Sequence, residues 1–504
     1  MLKKKLIIFS RDIEFLKNIY SNLEDKVKNK IIINKIFTKE KNNSIENKKF
    51  FKCKNINNYL NEFNINKIVL DKKYYINEKI LYKFYNVEKK FNYMLDFYES
   101  DKFPYKNVEK RSLYYYFLNK LINFFKSNKM DYIFFSHNPH DLIDVMILEM
   151  AKIFKIKCFY VRGFPLINHF KIDNNFKKIR NKNRYKKEIS LTTLKKNAKN
   201  FYVLKKENKK IQNFFLIKSK IVNYNYFNLL FLIYYNCSFL IYFFNILKSL
   251  IKIFILNHSI FFDNYLKFKD KKKITKFNFE EIIFRNNIKK FQLLEYYSKI
   301  SKKINYNQKY VFCPLWFQPS STSYPFCGDF INYEIIINML DETIPKNYKI
   351  IIKESPDIFN LNRNAWFRGP FVRKESFYKN LRKKNRIIFA NIYEPDYKLI
   401  KNSKFVCGLP DLSLFSSYIN KKKIIVFGEP LFPKTHGINF CFNTDSLRRA
   451  IFNHLNSRNI TSNDLSKFTS ELNNDTFHHH MIDVNKINKT NYKKISRIFE
   501  NQLN

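Results

Sequence analysis

Three short polar stretches hold most of the side chains in this sequence that can do chemistry, and each directly follows an apolar run. Gln318-Pro319-Ser320-Ser321-Thr322-Ser323 comes after Tyr310–Phe312 and Cys313-Pro314. Lys353-Glu354-Ser355-Pro356 comes after Tyr348–Ile352, and Ser136-His137-Asn138-Pro139-His140-Asp141 comes after Tyr132–Phe135. An amide and hydroxyls can hydrogen-bond a polar ligand, a lysine can offset an anion, and a histidine can take a proton near neutral pH. The plain alternative for each loop residue is turn chemistry. For His140 it is a loop histidine that caps the following helix.

The apolar runs are read as strands that position these groups. After the first loop, Ile336, Met339 and Leu340 fall at i, i+3, i+4, and Ile331, Ile335 and Met339 at i, i+4, i+8, which predicts a helix closed by Pro345. Strand, polar loop, helix and strand make a βαβ unit over 310–352 with a right-handed crossover. A second unit runs from Tyr132–Phe135 through a helix, Asp141 to Phe154, to a strand at Lys157–Val161. Leu142, Val145, Met146 and Met150 give that helix its buried face. In such sheets ligands sit outside the carboxyl ends of the strands, where all three polar stretches lie.

Over roughly 296–440 the order and spacing of motifs resembles the capsule polysaccharide biosynthesis proteins, glycosyltransferases of the GT-B type close to the Kdo-transferase-like capsule enzymes. The matching residues are Pro314-Leu315-Trp316-Phe317-Gln318-Pro319, Ile344-Pro345, Ile351-Ile352-Lys353-Glu354-Ser355-Pro356, Arg373 with Phe377-Tyr378, and Ile424-Ile425-Val426-Phe427-Gly428. Pro139-His140 and Ala151-Lys152 resemble the family's N-terminal half. The resemblance implies an α/β GT-B-like fold, with two Rossmann-like domains facing a cleft and a helical, aromatic-rich insertion. It implies transfer of a sugar from a nucleotide-sugar donor to a lipid-linked or oligosaccharide acceptor, with no metal and no cofactor. Gln318, Ser320, Ser321, Lys353, Glu354 and Arg373 would bind the donor, together with Gly408, Asp411 and Ser413 at a helix start aimed at phosphate. His140, with His137 or Asp141 nearby, would be the catalytic base, and Asp144 lies one turn further along the same helix. Three positions depart from the family pattern: Ser320 stands for a Glu, Ser355 for a His, and no Glu occurs near Ser416. They leave open a degenerate, non-catalytic relative that serves as a binding or scaffold subunit.

Composition narrows the class. The 504 residues exceed one core, and 45% hydrophobic with 18% aromatic residues excludes a disordered chain. A net charge of +50 raises a nucleic-acid-binding reading, but Lys, Asn, Ile, Phe and Tyr excess is what an AT-rich coding sequence produces. No RNP, KH or zinc-finger pattern supports that reading, so no nucleic-acid partner is expected. The seven Cys lack CxxC spacing and read as reduced thiols of a cytoplasmic protein.

The expected organisation is an acceptor domain over 1–170, a helical insertion over 171–300, a donor domain over 301–484 and a returning helix over 485–504. Ile221–Leu247 carries no charged side chain and is long enough to span a bilayer. A single crossing would separate the two halves of one cleft, so the segment is expected to pack in the N-terminal half or lie on the inner membrane surface. His478-His479-His480 is expected to be a solvated loop. Lys353 is expected to be exposed and to reach the cleft; its alternative is a surface pair with Glu354 or Asp357.

Overall fold

The computed structural model describes most of 3–164 and 292–475, together with 169–174, 190, 192 and 477–478. Within the two long stretches, residues 11–12, 22, 39–44, 54, 59–77, 97–106, 317, 319–325, 356–357, 360–372 and 393 fall outside the description. The expectations for Ile221–Leu247, for Ser320 and Ser321, and for the helix at 485–504 therefore lie outside the described residues. Among the described residues no helix is long and apolar enough to cross a membrane.

Two β-sheets carry the architecture. The first contains β1 (Lys4–Ser10), β2 (Ile31–Thr38), β3 (Asn55–Asn58), β4 (Tyr132–Phe135), β5 (Lys157–Gly163), β6 (His169–Asn174) and β13 (Phe477–His478), in the order β13-β6-β5-β4-β1-β2-β3. Its five strands from β3 to β5 are parallel, and β6 and β13 add antiparallel pairs at one edge. The second contains β7 (Tyr310–Leu315), β8 (Lys349–Glu354), β9 (Ile387–Phe389), β10 (Val406–Gly408), β11 (Ile424–Phe427) and β12 (Ile438–Cys441), ordered β12-β11-β10-β7-β8-β9 and parallel throughout. The strand runs are continuously apolar because helices cover both faces; Leu6–Phe9, Tyr310–Cys313 and Ile424–Phe427 are all buried.

In each sheet the chain starts in the middle, steps outward on one side, returns to the centre and steps outward on the other. This doubly wound order is Rossmann-like. It gives the expected α/β, GT-B-like fold of two Rossmann-like units. His478, expected in a solvated loop with His479 and His480, lies instead in β13, in register with His169 of β6, because pairing with that strand orders it.

The Leu142–Ile153 helix is buried along ten consecutive positions, more than one amphipathic stripe, because helices on either side also pack on it. The Tyr333–Thr343 helix buries Tyr333, Ile336, Ile337 and Leu340. Ile335, counted toward the core from its spacing, is exposed instead.

Candidate functional site

The strand order fixes where each sheet opens. In the second sheet β7, β8 and β9 step one way and β10, β11 and β12 the other, so neighbouring loops diverge between the carboxyl ends of β7 and β10. Backbone crowds this point. A Cβ on Gly408 would lie 3.5 Å from the Pro314 carbonyl oxygen and 3.2 Å from Leu414 Cδ1. After Gly408 the chain turns through Pro410 and Asp411 into the Leu412–Ile419 helix. Asp411 Oδ1 accepts from the Leu414 amide at 3.0 Å and caps that helix. Its Oδ2 is buried and has no hydrogen-bond partner among the described residues. Burial pushes the carboxyl up from its ordinary 3.8 to about 7, against the amides of Leu414 and Ser413, which favour its charge. Ser413 is buried in the first turn of the helix.

Next to this crevice, three of the residues expected to bind a donor hold one another. Arg373 Nε donates to Glu354 Oε2 at 3.0 Å, and Arg373 Nη1 to Gln318 Oε1 at 2.9 Å. Gln318 Nε2 donates to the Ile331 carbonyl at 2.8 Å, and the Tyr378 hydroxyl to Glu354 Oε2 at 2.8 Å. The Glu354 amide donates to the Tyr297 hydroxyl at 3.0 Å. The Arg373 guanidinium also lies 5.0 Å from the ring centres of both Tyr333 and Phe377. Gln318, Glu354 and Arg373 are 0%, 1% and 2% exposed, and their side-chain hydrogen bonds run to one another, to the Ile331 carbonyl and to Tyr378. Burial pushes the Glu354 carboxyl up, against the pull of the Arg373 guanidinium and the Tyr378 hydroxyl. Glu354 Oε1 and Arg373 Nη2 are buried without partners.

Lys353 departs from its expected setting. It is 8% exposed and donates to Asp396 Oδ1 at 2.5 Å, at the start of the Asp396–Asn402 helix. Its partner is not Glu354, and Asp357 lies outside the described residues. The strand register explains this: Glu354 alternates to the opposite sheet face from Lys353.

The first sheet opens between β1 and β4, again its topological switch point. The hydroxyls of Ser10 and Ser136, at the ends of these two strands, are 2.6 Å apart and buried. His140 follows in the β4 loop, with Nδ1 2.8 Å from the Asn138 carbonyl oxygen. A carbonyl only accepts, so Nδ1 carries a proton and Nε2 is the acceptor nitrogen of the neutral ring. Asp141 occupies the N-cap position of the Leu142–Ile153 helix in extended backbone, without a side-chain capping bond. The carboxylate that engages a histidine in this loop is Asp144, fully buried, with Oδ2 3.0 Å from His137 Nε2. Both residues stand beside His140 in the sequence reading, and the structure pairs them with each other.

The two openings face each other. Tyr160 of β5 stacks on Phe326, with ring centres 5.4 Å apart, and the Arg162 guanidinium lies 4.0 Å from the same ring centre. Phe164, just past β5, packs edge-on against Phe415 and Phe432. All of these residues belong to or adjoin carboxyl-end segments of their sheets. Phe326 is held in turn by the Glu429 amide, which donates to its carbonyl at 3.0 Å, and Gly428 passes close to the next residue, Cys327. One apolar cluster contains side chains from both sheets, including Phe135, Tyr160, Phe326 and Phe427. Among the described residues no three His, Cys, Asp or Glu side chains converge as a metal site would require.

No protein-family model and no curated protein matches the chain. Among solved structures it is similar to KpsC, a beta Kdo 2,7 transferase of Thermosulfurimonas dismutans, at 13% identity and TM-score 0.24, over 44% of this chain and 65% of that one. It is similar to UDP-GlcNAc 2-epimerase of Methanocaldococcus jannaschii in complex with UDP-GlcNAc and UDP, at 11% identity and TM-score 0.25, over 93% and 98% of the two chains. Anabaena Alr3699/HepE in complex with UDP and glucose matches at 8% identity and TM-score 0.21 over 99% of each chain. Likeness at this distance assigns no activity.

Proposed function

We propose that the chain is a glycosyltransferase of surface or capsular polysaccharide assembly that moves a sugar from a nucleotide-activated donor to a lipid-linked or glycan acceptor. The observation that carries this reading is the pair of doubly wound sheets whose switch-point crevices open toward one another. One crevice can hold a donor and the other an acceptor, so the anomeric carbon and the attacking hydroxyl meet at the seam. The β7/β10 crevice, with Gly408, Asp411 and Ser413, takes the donor. The β1/β4 crevice takes the acceptor, and His140 Nε2 receives the acceptor hydroxyl proton as that oxygen bonds the anomeric carbon and the nucleoside phosphate leaves. The protein works at the cytoplasmic face of the inner membrane. Mass spectrometry of products from a panel of nucleotide sugars, CMP-linked ones included, with lipid-linked acceptors tests the reading. Transfer should occur with one donor, and His140→Gln should lower turnover about a hundredfold or more without loss of folding. Absence of transfer across the panel rejects it.

A second reading is a degenerate binding or scaffold subunit. The inward-turned relay favours it: Gln318, Glu354 and Arg373 satisfy one another, and Lys353 is spent on Asp396. Saturable nucleotide binding with no product would decide for this reading.

A further inference from the structure

The end of the Leu412–Ile419 helix carries a feature that the donor reading leaves unexplained. A helix start at a switch-point crevice is where backbone amides and the helix dipole favour a phosphate. Here those amides face a carboxylate of the chain itself. Asp411 Oδ1 takes the Leu414 amide at 3.0 Å, and the Ser413 amide acts on the same carboxyl. The side chain is 1% exposed, so solvent does not dilute its charge. A second anion there would meet both occupied amides and a like charge a few ångströms away. The remaining oxygen, Oδ2, is buried with no partner among the described residues. Such an acceptor is costly to leave unmade and is completed by a group that brings a hydrogen.

We infer that Asp411 fills the anion position at this helix end, so the crevice presents a hydrogen-bond acceptor there and takes a hydroxyl or N–H of a sugar or base, not a phosphate. The inference deepens the donor reading, because it fixes which part of a nucleotide sugar can meet this helix. It names Asp411 as a specificity-determining residue rather than a phosphate-binding one.

The test is calorimetric titration of inorganic pyrophosphate into the full chain at near-physiological salt and pH 8, where the Asp411 carboxyl is mostly ionised, as wild type, Asp411→Asn and Asp411→Gly. The background from the +50 charge is common to the three proteins, so the gain over wild type is the readout. Asparagine removes the charge but keeps the amide position filled, whereas glycine removes the charge and empties it at small cost to the cap. Glycine should bind pyrophosphate about tenfold or more tighter than asparagine, the size of a favourable partly buried helix-end interaction. Equal affinities for glycine and asparagine would overturn the inference, since charge alone would then be at work. So would pyrophosphate binding by the wild type as tight as by glycine. If the glycine variant does not fold, Asp411→Ala, which has no side-chain acceptor and so also leaves the amide empty, makes the same comparison against asparagine. Pyrophosphate needs no sugar transfer, so this result stands apart from the product assay: the inference can hold in an inactive protein and fail in an active one.

Discussion

Replacing Arg373 by methionine should unfold the second sheet's carboxyl end more readily than any surface change. The side chain is 2% exposed, and the substitution removes the donors to Glu354 Oε2 and Gln318 Oε1 while keeping most of the apolar stem. Glu354 is then left with Tyr378 as a side-chain donor and no cation, inside a site that admits no solvent. Removing one partner of a buried pair costs about 3–5 kcal/mol, because the other charge remains buried. Glu354→Gln added to Arg373→Met should restore about 2 kcal/mol of that by neutralising the stranded carboxylate. The pH dependence has a definite sign. Without its counter-charge the Glu354 carboxyl is pushed further above its ordinary 4.5 in the folded protein. A raised folded value means stability is present below the unfolded value and is lost as pH rises through the folded one. Arg373→Met should therefore fall further behind wild type at pH 8 than at pH 5, by up to about 1.4 kcal/mol per pH unit crossed. Urea unfolding followed by the fluorescence of Trp316 and Trp366 reads both quantities. A loss under about 1 kcal/mol, or a deficit flat in pH, would refute the claim that the relay is a closed, buried ion pair.

Three further outcomes follow from single contacts. Gly428 sits at φ +94°, and a Cβ there would lie 2.6 Å from Cys327 Cα, so Gly428→Ala should lower stability by about 1–3 kcal/mol; an unchanged melting temperature would contradict the close approach. Lys353→Met should destabilise by about 1–3 kcal/mol, because Asp396 loses its ammonium in a largely buried setting; wild-type stability would instead support an exposed lysine free for a ligand. Asp411 carries a folded-state value of about 7 against an ordinary 3.8, so wild-type stability should fall by about 2–3 kcal/mol between pH 5 and pH 8, while Asp411→Asn, which keeps the cap, stays level; parallel pH profiles in urea would remove Asp411 as the source.

The parallel strands were legible because they are continuous apolar runs ended by polar loops, and both βαβ units appear where the periodicity put them. The helix start at Asp411 was legible from its capping residue. Short edge elements were not. The run at Ile438–Cys441 has four residues and mixed polarity, and β13 is two residues long inside a histidine tract; pairing with a neighbour, not local pattern, makes each a strand. Side-chain roles were legible as a set but not as a direction. Gln318, Glu354 and Arg373 were picked out together, and they do come together, yet facing inward. Motif spacing reports which residues share a neighbourhood; it does not say whether their polar atoms point at a ligand or at each other. Lys353 shows the same limit, since its partner Asp396 lies on a helix 43 residues away in sequence.

The charge balance turns this inward-facing pattern into an argument about Asp411. With 93 basic and 43 acidic residues, carboxylates are the scarce partners in this chain, and the buried and half-buried ones collect cations and donors. Asp341 holds Lys384 at 2.9 Å and Arg386 at 3.1 Å. Asp464 takes two nitrogens of Arg458 at 2.6 and 2.8 Å and the Thr461 hydroxyl at 2.8 Å. Glu149 lies 2.7 Å from Lys90 and 2.8 Å from Lys152, Glu354 holds Arg373, and Asp396 holds Lys353. Each such contact converts a cation that would otherwise repel its neighbours into a fixed link between elements. Asp411 breaks the rule. It is buried, it sits at the switch point, and among the described residues no lysine or arginine pairs with it. In so basic a chain a cation could readily have evolved beside it, and only helix amides are there. On the donor reading proposed above, this carboxyl, once ionised, is the acceptor that the crevice offers, a role that a structural ion pair would have removed.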